Sequence, residues 1–123
     1  MNDFFKWHIY RANLDPVLGS EQGKSRPVLV ISEDSVNDLL NCVNVIPITS
    51  RKEGRIIYPN EALIPKGQGG LLASESIVLC HQIRTLDKRR LSSMYTVITD
   101  LTLQRLILEA LCFQLGIPSL STL

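Results

Sequence analysis

A chain of 123 residues with 45% hydrophobic side chains is long enough for one real core and too short for two, so a single domain spanning residues 1–123 with a frayed C-terminal end is expected. Thirteen basic against twelve acidic side chains give a formal charge of +1, which excludes a global field for nucleic acid and confines any such site to a local patch. Cys42, Cys80 and Cys112 lie far apart without a C-x-x-C pair, which excludes a disulfide framework or a zinc site and leaves buried thiols. The first residues lack the pattern of a signal peptide and no apolar run is long enough to span a bilayer, so a cytoplasmic protein without a membrane partner is expected.

In chain order, residues 7–14 alternate loosely between apolar and polar and predict a first strand ending at Asp15-Pro16. Residues 16–32 set a polar loop with Gly19 and Gly23 directly before an apolar run, 28–31, which predicts a second strand covered on both faces. Cap-type residues and clustered leucines predict a short helix over 35–40. Residues 42–48 return to β. Period-two alternation there puts Val43, Val45, Pro47 and Thr49 on one face and Ile46, Ile48 and Ser50 on the other, with Thr49 at the strand's end. Arg51, Lys52 and Arg55 surround Gly54 in a basic loop over 51–56, followed by two brief extended segments broken by Pro59 and Pro65. Residues 76–83 predict a strand. Over 100–115 the apolar residues recur at helical spacing, with Thr99 or Asp100 as N-cap and Gly116 and Pro118 as the stop. That helix is apolar around more than half its circumference, so it should pack on the sheet and offer a face to a subunit interface as well. Many short strands with Gly and Pro breaks indicate a mainly β (α+β) fold, a small barrel or sandwich with short helices and a C-terminal helix.

The loop Gly19-Ser-Glu-Gln-Gly-Lys-Ser approaches the P-loop pattern but is one residue short, and Pro27 blocks the helix that a P-loop must open. ATP and GTP are therefore excluded as its ligands. Pro27 also biases Arg26 toward extended backbone, which sets a fixed cation at a strand mouth, suited to an anion. The two histidines, His8 and His81, fall in predicted strands. Cys80 and His81, adjacent in a strand, point to opposite faces and cannot form a dyad. Arg26, Thr49 and His81 all lie at or near ends of apolar strands and converge on one site if those strands are neighbours. Such a set has no carboxylate cluster for a metal and no serine elbow, and no cofactor is implied. It suits cleavage of RNA by its own 2′-hydroxyl, which needs a base, an acid and a cation on the transition state.

Four ordered blocks, residues 19–32, Pro47-Ile-Thr-Ser, Gly67-Gln-Gly-Gly-Leu and residues 82–91, together resemble the MazF/PemK family of bacterial toxin endoribonucleases from about residue 9 to residue 116. The resemblance implies a curled SH3-like barrel with a C-terminal helix, a homodimer, metal-free and sequence-selective cleavage of single-stranded RNA, and inhibition by a cognate antitoxin with a disordered C-terminal segment. It implies Arg26 and Thr49 as the catalytic pair, with Arg26 as phosphate clamp because a guanidinium hardly ever deprotonates. Ser20, Glu21 and Gln22 match family positions that contribute to the site or gate it, with Gly19 and Gly23 as hinges, and Gln82 matches the family's glutamine. Lys24, Ser50, Arg51, Lys52 and Arg55 complete the expected RNA-binding set. Two departures stand out: His81 occupies a position that is usually acidic, and Trp7-His8 replaces a Gly-Asp or Gly-Glu pair. His81, with an ordinary pKa of about 6.5, is expected to act as base or acid, or else to contact RNA only. The same barrel resembles CcdB, a gyrase-binding toxin, but Leu115-Gly116-Ile117 is followed by six more residues and the only tryptophan is Trp7. An inactive regulatory homologue is the remaining alternative.

Overall fold

The computed structural model describes residues 3–67 and 74–118. Much of the third conserved-looking block, residues 68–71, therefore lies outside the described residues. Seven strands, β1 (His8–Asn13), β2 (Ser25–Val30), β3 (Cys42–Ser50), β4 (Glu61–Ile64), β5 (Ser76–Leu79), β6 (Arg84–Asp87) and β7 (Leu91–Val97), pair antiparallel. Helix α1 (Asp34–Leu39) bridges β2 and β3, and α2 (Leu101–Leu115) follows β7. The strand order is β4-β5-β3-β2-β1-β7, with β6 also on β3.

The apolar alternation of the central strands explains the two cores. Leu29, Ile46 and Ile48 face one cluster, which takes in Val78 and Ile64 and is capped by Leu103, Ile107 and Ala110 of α2. Val28, Val30, Val43 and Val45 face the other, closed by Tyr10, Leu14, Leu86 and Leu91. β2 and β3 are thus covered on both sides, as their unbroken apolar runs require.

α2 begins where Asp100 accepts hydrogen bonds from Thr102 N (2.8 Å) and Leu103 N (3.2 Å). It ends at Gly116, whose left-handed φ of 68° lets the cap amides reach the Cys112 and Phe113 carbonyls. Gly116 is accounted for by this cap. Leu101, Leu106, Phe113 and Leu115 of the same helix stay exposed, Leu106 and Phe113 along a groove beside β4.

Two expectations are corrected. The strand over 76–83 stops at Leu79, and a 3₁₀ turn, Cys80–Gln82, follows before β6. Cys80 and His81 consequently do not alternate as strand neighbours; Cys80 is fully buried and His81 exposed because the turn rolls one inward. β6 and β7 emerge from a stretch that carries no clear alternation, and Lys88–Arg90 form a 3₁₀ turn between them. Among the described residues no helix is long and apolar enough to cross a membrane.

Asp100→Ala should lower the unfolding free energy by about 1 kcal/mol, the usual cost of an N-cap, without changing the denaturant slope. Urea unfolding at neutral pH measures it; an unchanged midpoint would mean that α2 is held by packing alone.

Candidate active site

The candidate site lies where two strands part. β2 and β3 pair at Leu29↔Ile46 and Val30↔Val45, and their shared ladder stops at Val28↔Pro47. Below that point β3 pairs with β5 through Ile48, Thr49 and Ser50, while β2 stays with β1 through Pro27, Arg26 and Ser25. Continuing the lost register would set Arg26 opposite Thr49 and Ser25 opposite Ser50. Pro27 and Pro47 flank the fork, and neither has an N–H with which to continue a ladder. The opening between the strands is a cleft of about 360 Å³ lined by Lys24, Ser25, Arg26, Pro27, Ile48, Thr49, Ser50, Lys52 and Ser76.

The lining holds three cations and no carboxylate. Among the described residues none of the three, Lys24, Arg26 and Lys52, has an ion-pair partner. The Arg26 guanidinium is half-buried, and its Nε–H donates to the Gly23 carbonyl at 2.9 Å. Its terminal amino groups have no hydrogen-bond partner among the described residues. Thr49, also half-buried, brings a hydroxyl to the facing wall.

His81 does not line this cleft. It lies in a second hollow of about 370 Å³ with Ser20, Glu21, Gln82, Ile83 and Arg84. The segment from Ser20 to Arg26 contributes to both hollows. The Gln82 amide straps that segment down: its Oε1 accepts from Gln22 N and its Nε2 donates to the Ser20 carbonyl, each at 3.1 Å. Gly19 adopts a left-handed φ of 53° with open space around it. Gly23 differs. A Cβ there would lie 2.7 Å from Asp15 Oδ1 and 2.9 Å from Val17 Cγ2, so close approach is what demands glycine.

The expected basic loop divides. Lys52 reaches the cleft, whereas Arg51 donates to Glu75 Oε1 at 3.2 Å and Arg55 grips Glu61 through both carboxylate oxygens at 2.8 and 2.6 Å. Glu61 also accepts from Tyr58 N at 3.0 Å, and its side chain is 3% exposed. The hydrogen bonds from Arg55, aided by Tyr58 N, hold its carboxyl below the ordinary 4.5. Two of the three loop cations thus shape the β3–β4 connection. Lys88, Arg89 and Arg90 are engaged likewise, by the Asn37 carbonyl, by Asp87, and by the Asn13 and Asp15 carbonyls. His8 sits at the end of β1 away from Ala12, the residue paired with Arg26; its Nδ1–H donates to Lys6 O at 3.0 Å and its ring stacks on Tyr10. Cys80 is excluded as a nucleophile, because burial pushes its thiol up to about 12. Sequence reasoning passed over Arg84 in the second hollow and the acidic partners Glu61 and Glu75, for which the chain carries no local signal.

A mainly β protein with a cationic, carboxylate-free cleft at a sheet fork is built to receive an extended anion. Residues 5–115 match the model of the PemK-like, MazF-like toxins of type II toxin-antitoxin systems, and the chain belongs to that family. An endoribonuclease MazF of Staphylococcus saprophyticus is 42% identical over 92 residues, which are 75% of each chain. The crystal structure of MazF (Form-I) from Deinococcus radiodurans superposes with a TM-score of 0.75 at 29% identity, covering 93% of this chain and 97% of that one. A MazE-MazF structure (Form-III) from the same organism gives 0.70 at 26% identity, over 94% and 98% of the two chains.

Two outcomes follow. At pH 8 iodoacetamide should label the half-buried Cys42 and Cys112 and leave Cys80 intact, as peptide mass mapping will show. Because the Glu61 carboxyl is depressed in the fold, its stabilising contribution is complete above the unfolded-state value and fades as pH falls through the folded-state value. Glu61→Gln should therefore flatten the loss of stability below about pH 4.5; parallel acid-unfolding curves would remove that assignment.

Proposed function

We propose that this chain is the toxin of a toxin-antitoxin system, an endoribonuclease that cuts single-stranded RNA through attack by the RNA's own 2′-hydroxyl. The observation that carries the reading is the placement of Arg26 and Thr49 on the two walls of a fork whose three cations have no acidic partner among the described residues. An RNA strand lies along the fork with its scissile phosphate between these two residues. The 2′-oxygen bonds to phosphorus, the bond from phosphorus to the 5′-oxygen breaks, and the products are a cyclic phosphate and a free 5′-hydroxyl. Arg26, tied at Nε, offers its two terminal amino groups to the non-bridging oxygens as charge builds on them. Thr49 orients the 2′-hydroxyl or holds a phosphate oxygen. Lys24, Lys52 and Ser50 take neighbouring phosphates. His81, exposed beside Gln82 in the second hollow, meets the strand as it leaves the fork and either exchanges a proton with it or contacts the RNA only; Ser20, Glu21 and Gln22 border the same path.

The partners follow from the helix. Leu106, Phe113 and Ile117 are more than half exposed and line a groove of about 680 Å³ with Ile57, Pro59, Leu63 and Pro65. An apolar surface of this kind supports docking of another chain, either a second copy in a homodimer or the disordered segment of an antitoxin that folds on binding.

Purified protein incubated with long unstructured RNA in excess chelator should leave 5′-hydroxyl ends at a restricted set of sequences. Arg26→Ala should slow cleavage by at least about 10²-fold and Thr49→Ala should also abolish it on the assay's timescale. Intact RNA in the wild-type reaction would sink the reading. For His81, the pH-rate profile decides: a profile that keeps its shape in His81→Gln leaves that residue a binding role only.

A further inference from the structure

We propose that Asp15 is a positioning residue for Arg26, acting through the backbone of Gly23 and Lys24. This rests on the reading of the fork as an RNA-cleaving site. The loop over residues 14–24 leaves β1 and returns to β2, and its closing turn is held from the Asp15 side. Leu14 N donates to the Lys24 carbonyl at 2.8 Å, which carries the β1–β2 ladder past Asn13↔Ser25. Asp15 Oδ1 accepts from Lys24 N at 2.8 Å. Together these bonds hold Lys24 at a φ of 63°, a conformation that L-residues other than Asn and Asp rarely adopt. The same Oδ1 is the atom that a Cβ on Gly23 would meet, so the carboxylate fixes both the conformation of Lys24 and the track of Gly23.

The carbonyl of Gly23 is the acceptor for Arg26 Nε. A guanidinium is planar and rigid, so a bond at Nε fixes the plane in which the remaining N–H donors lie, and Arg26 lines the cleft. Asp15 lines neither hollow and touches no reacting atom; its part is to hold the carbonyl that aims the guanidinium. A backbone shift of about 1 Å at Gly23 would rotate the donor pair off the phosphate, and misplacement on that scale costs up to about 10²-fold in rate.

The test compares Asp15→Asn, which keeps an acceptor oxygen and removes the charge, with Asp15→Ala, which removes both. Gly23→Ala disturbs the same turn with Asp15 in place and carries the test if Asp15→Ala does not fold. Kinetics on RNA are read beside the ¹⁵N–¹H resonance of Arg26 Nε, assigned by its absence in Arg26→Ala. Asp15→Ala and Gly23→Ala should lower kcat about tenfold with KM within about twofold, and should move the Nε signal to the position of free arginine. Asp15→Asn should keep the wild-type resonance and kcat within about threefold. Unchanged Nε signals in Asp15→Ala and Gly23→Ala, or an Asp15→Asn as impaired as Asp15→Ala, would overturn the proposal. If the wild type leaves RNA intact, the cleavage reading fails by itself, and the Nε comparison still decides whether Asp15 aims Arg26.

Discussion

The whole site depends on β3 having two partners on one edge. Its first half pairs with β6 from Cys42 to Val45 and its last three residues pair with β5, while β2 accompanies its other edge only from Val45 to Pro47. The end of this nine-residue strand stays with β5 after β2 has left its other edge, just where Arg26 and Thr49 would have met. Side chains that would have been cross-strand neighbours become two walls of an opening. The fork is held by the hydrophobic cores rather than by the polar residues in it. Ile48, Val78 and Ile64 pull the end of β3 into the cluster under α2, while Val28, Val30 and Val45 hold β2 and the start of β3 to the opposite cluster.

That division explains which parts were legible in the sequence. Two-faced apolar strands announce themselves, so 28–31 and 42–48 were readable with their facings, and so was α2, whose cap and stop residues act locally. Val43 and Val45 do face away from Ile46 and Ile48. β7 was not readable, because it lies at the sheet's edge with Ser92, Ser93 and Met94 exposed and has no apolar alternation to offer. The break at Cys80 was hidden for the opposite reason. Residues 77–80 are all buried, and an apolar run cannot say where a strand gives way to a 3₁₀ turn.

Charge was harder to read than burial. Arg51, Lys52 and Arg55 look alike along the chain, yet Glu75 and Glu61 engage the two arginines and leave the lysine at the cleft. The partners of Arg51 and Arg55 lie in different elements, and no local pattern foretells such a pairing. Gly23 posed the same difficulty, since a glycine required by close approach and one required by backbone freedom are the same letter; only the position of Asp15 separates them.

The cleft brings three cations together, and among the described residues none of them has an acidic partner. Glu33, Glu61, Glu75 and Asp87 are matched to Lys6, Arg55, Arg51 and Arg89 elsewhere, so none of these four acids neutralises the fork. Like charges brought together repel, and that repulsion is relieved only when an anion with closely spaced charges enters. A single small anion relieves it in part. A polyphosphate strand, with one charge for each cation, relieves it along the whole fork, so affinity should depend on length as well as on salt. On the proposed reading of the fork, the same repulsion selects a chain over a monomer, before any base is read.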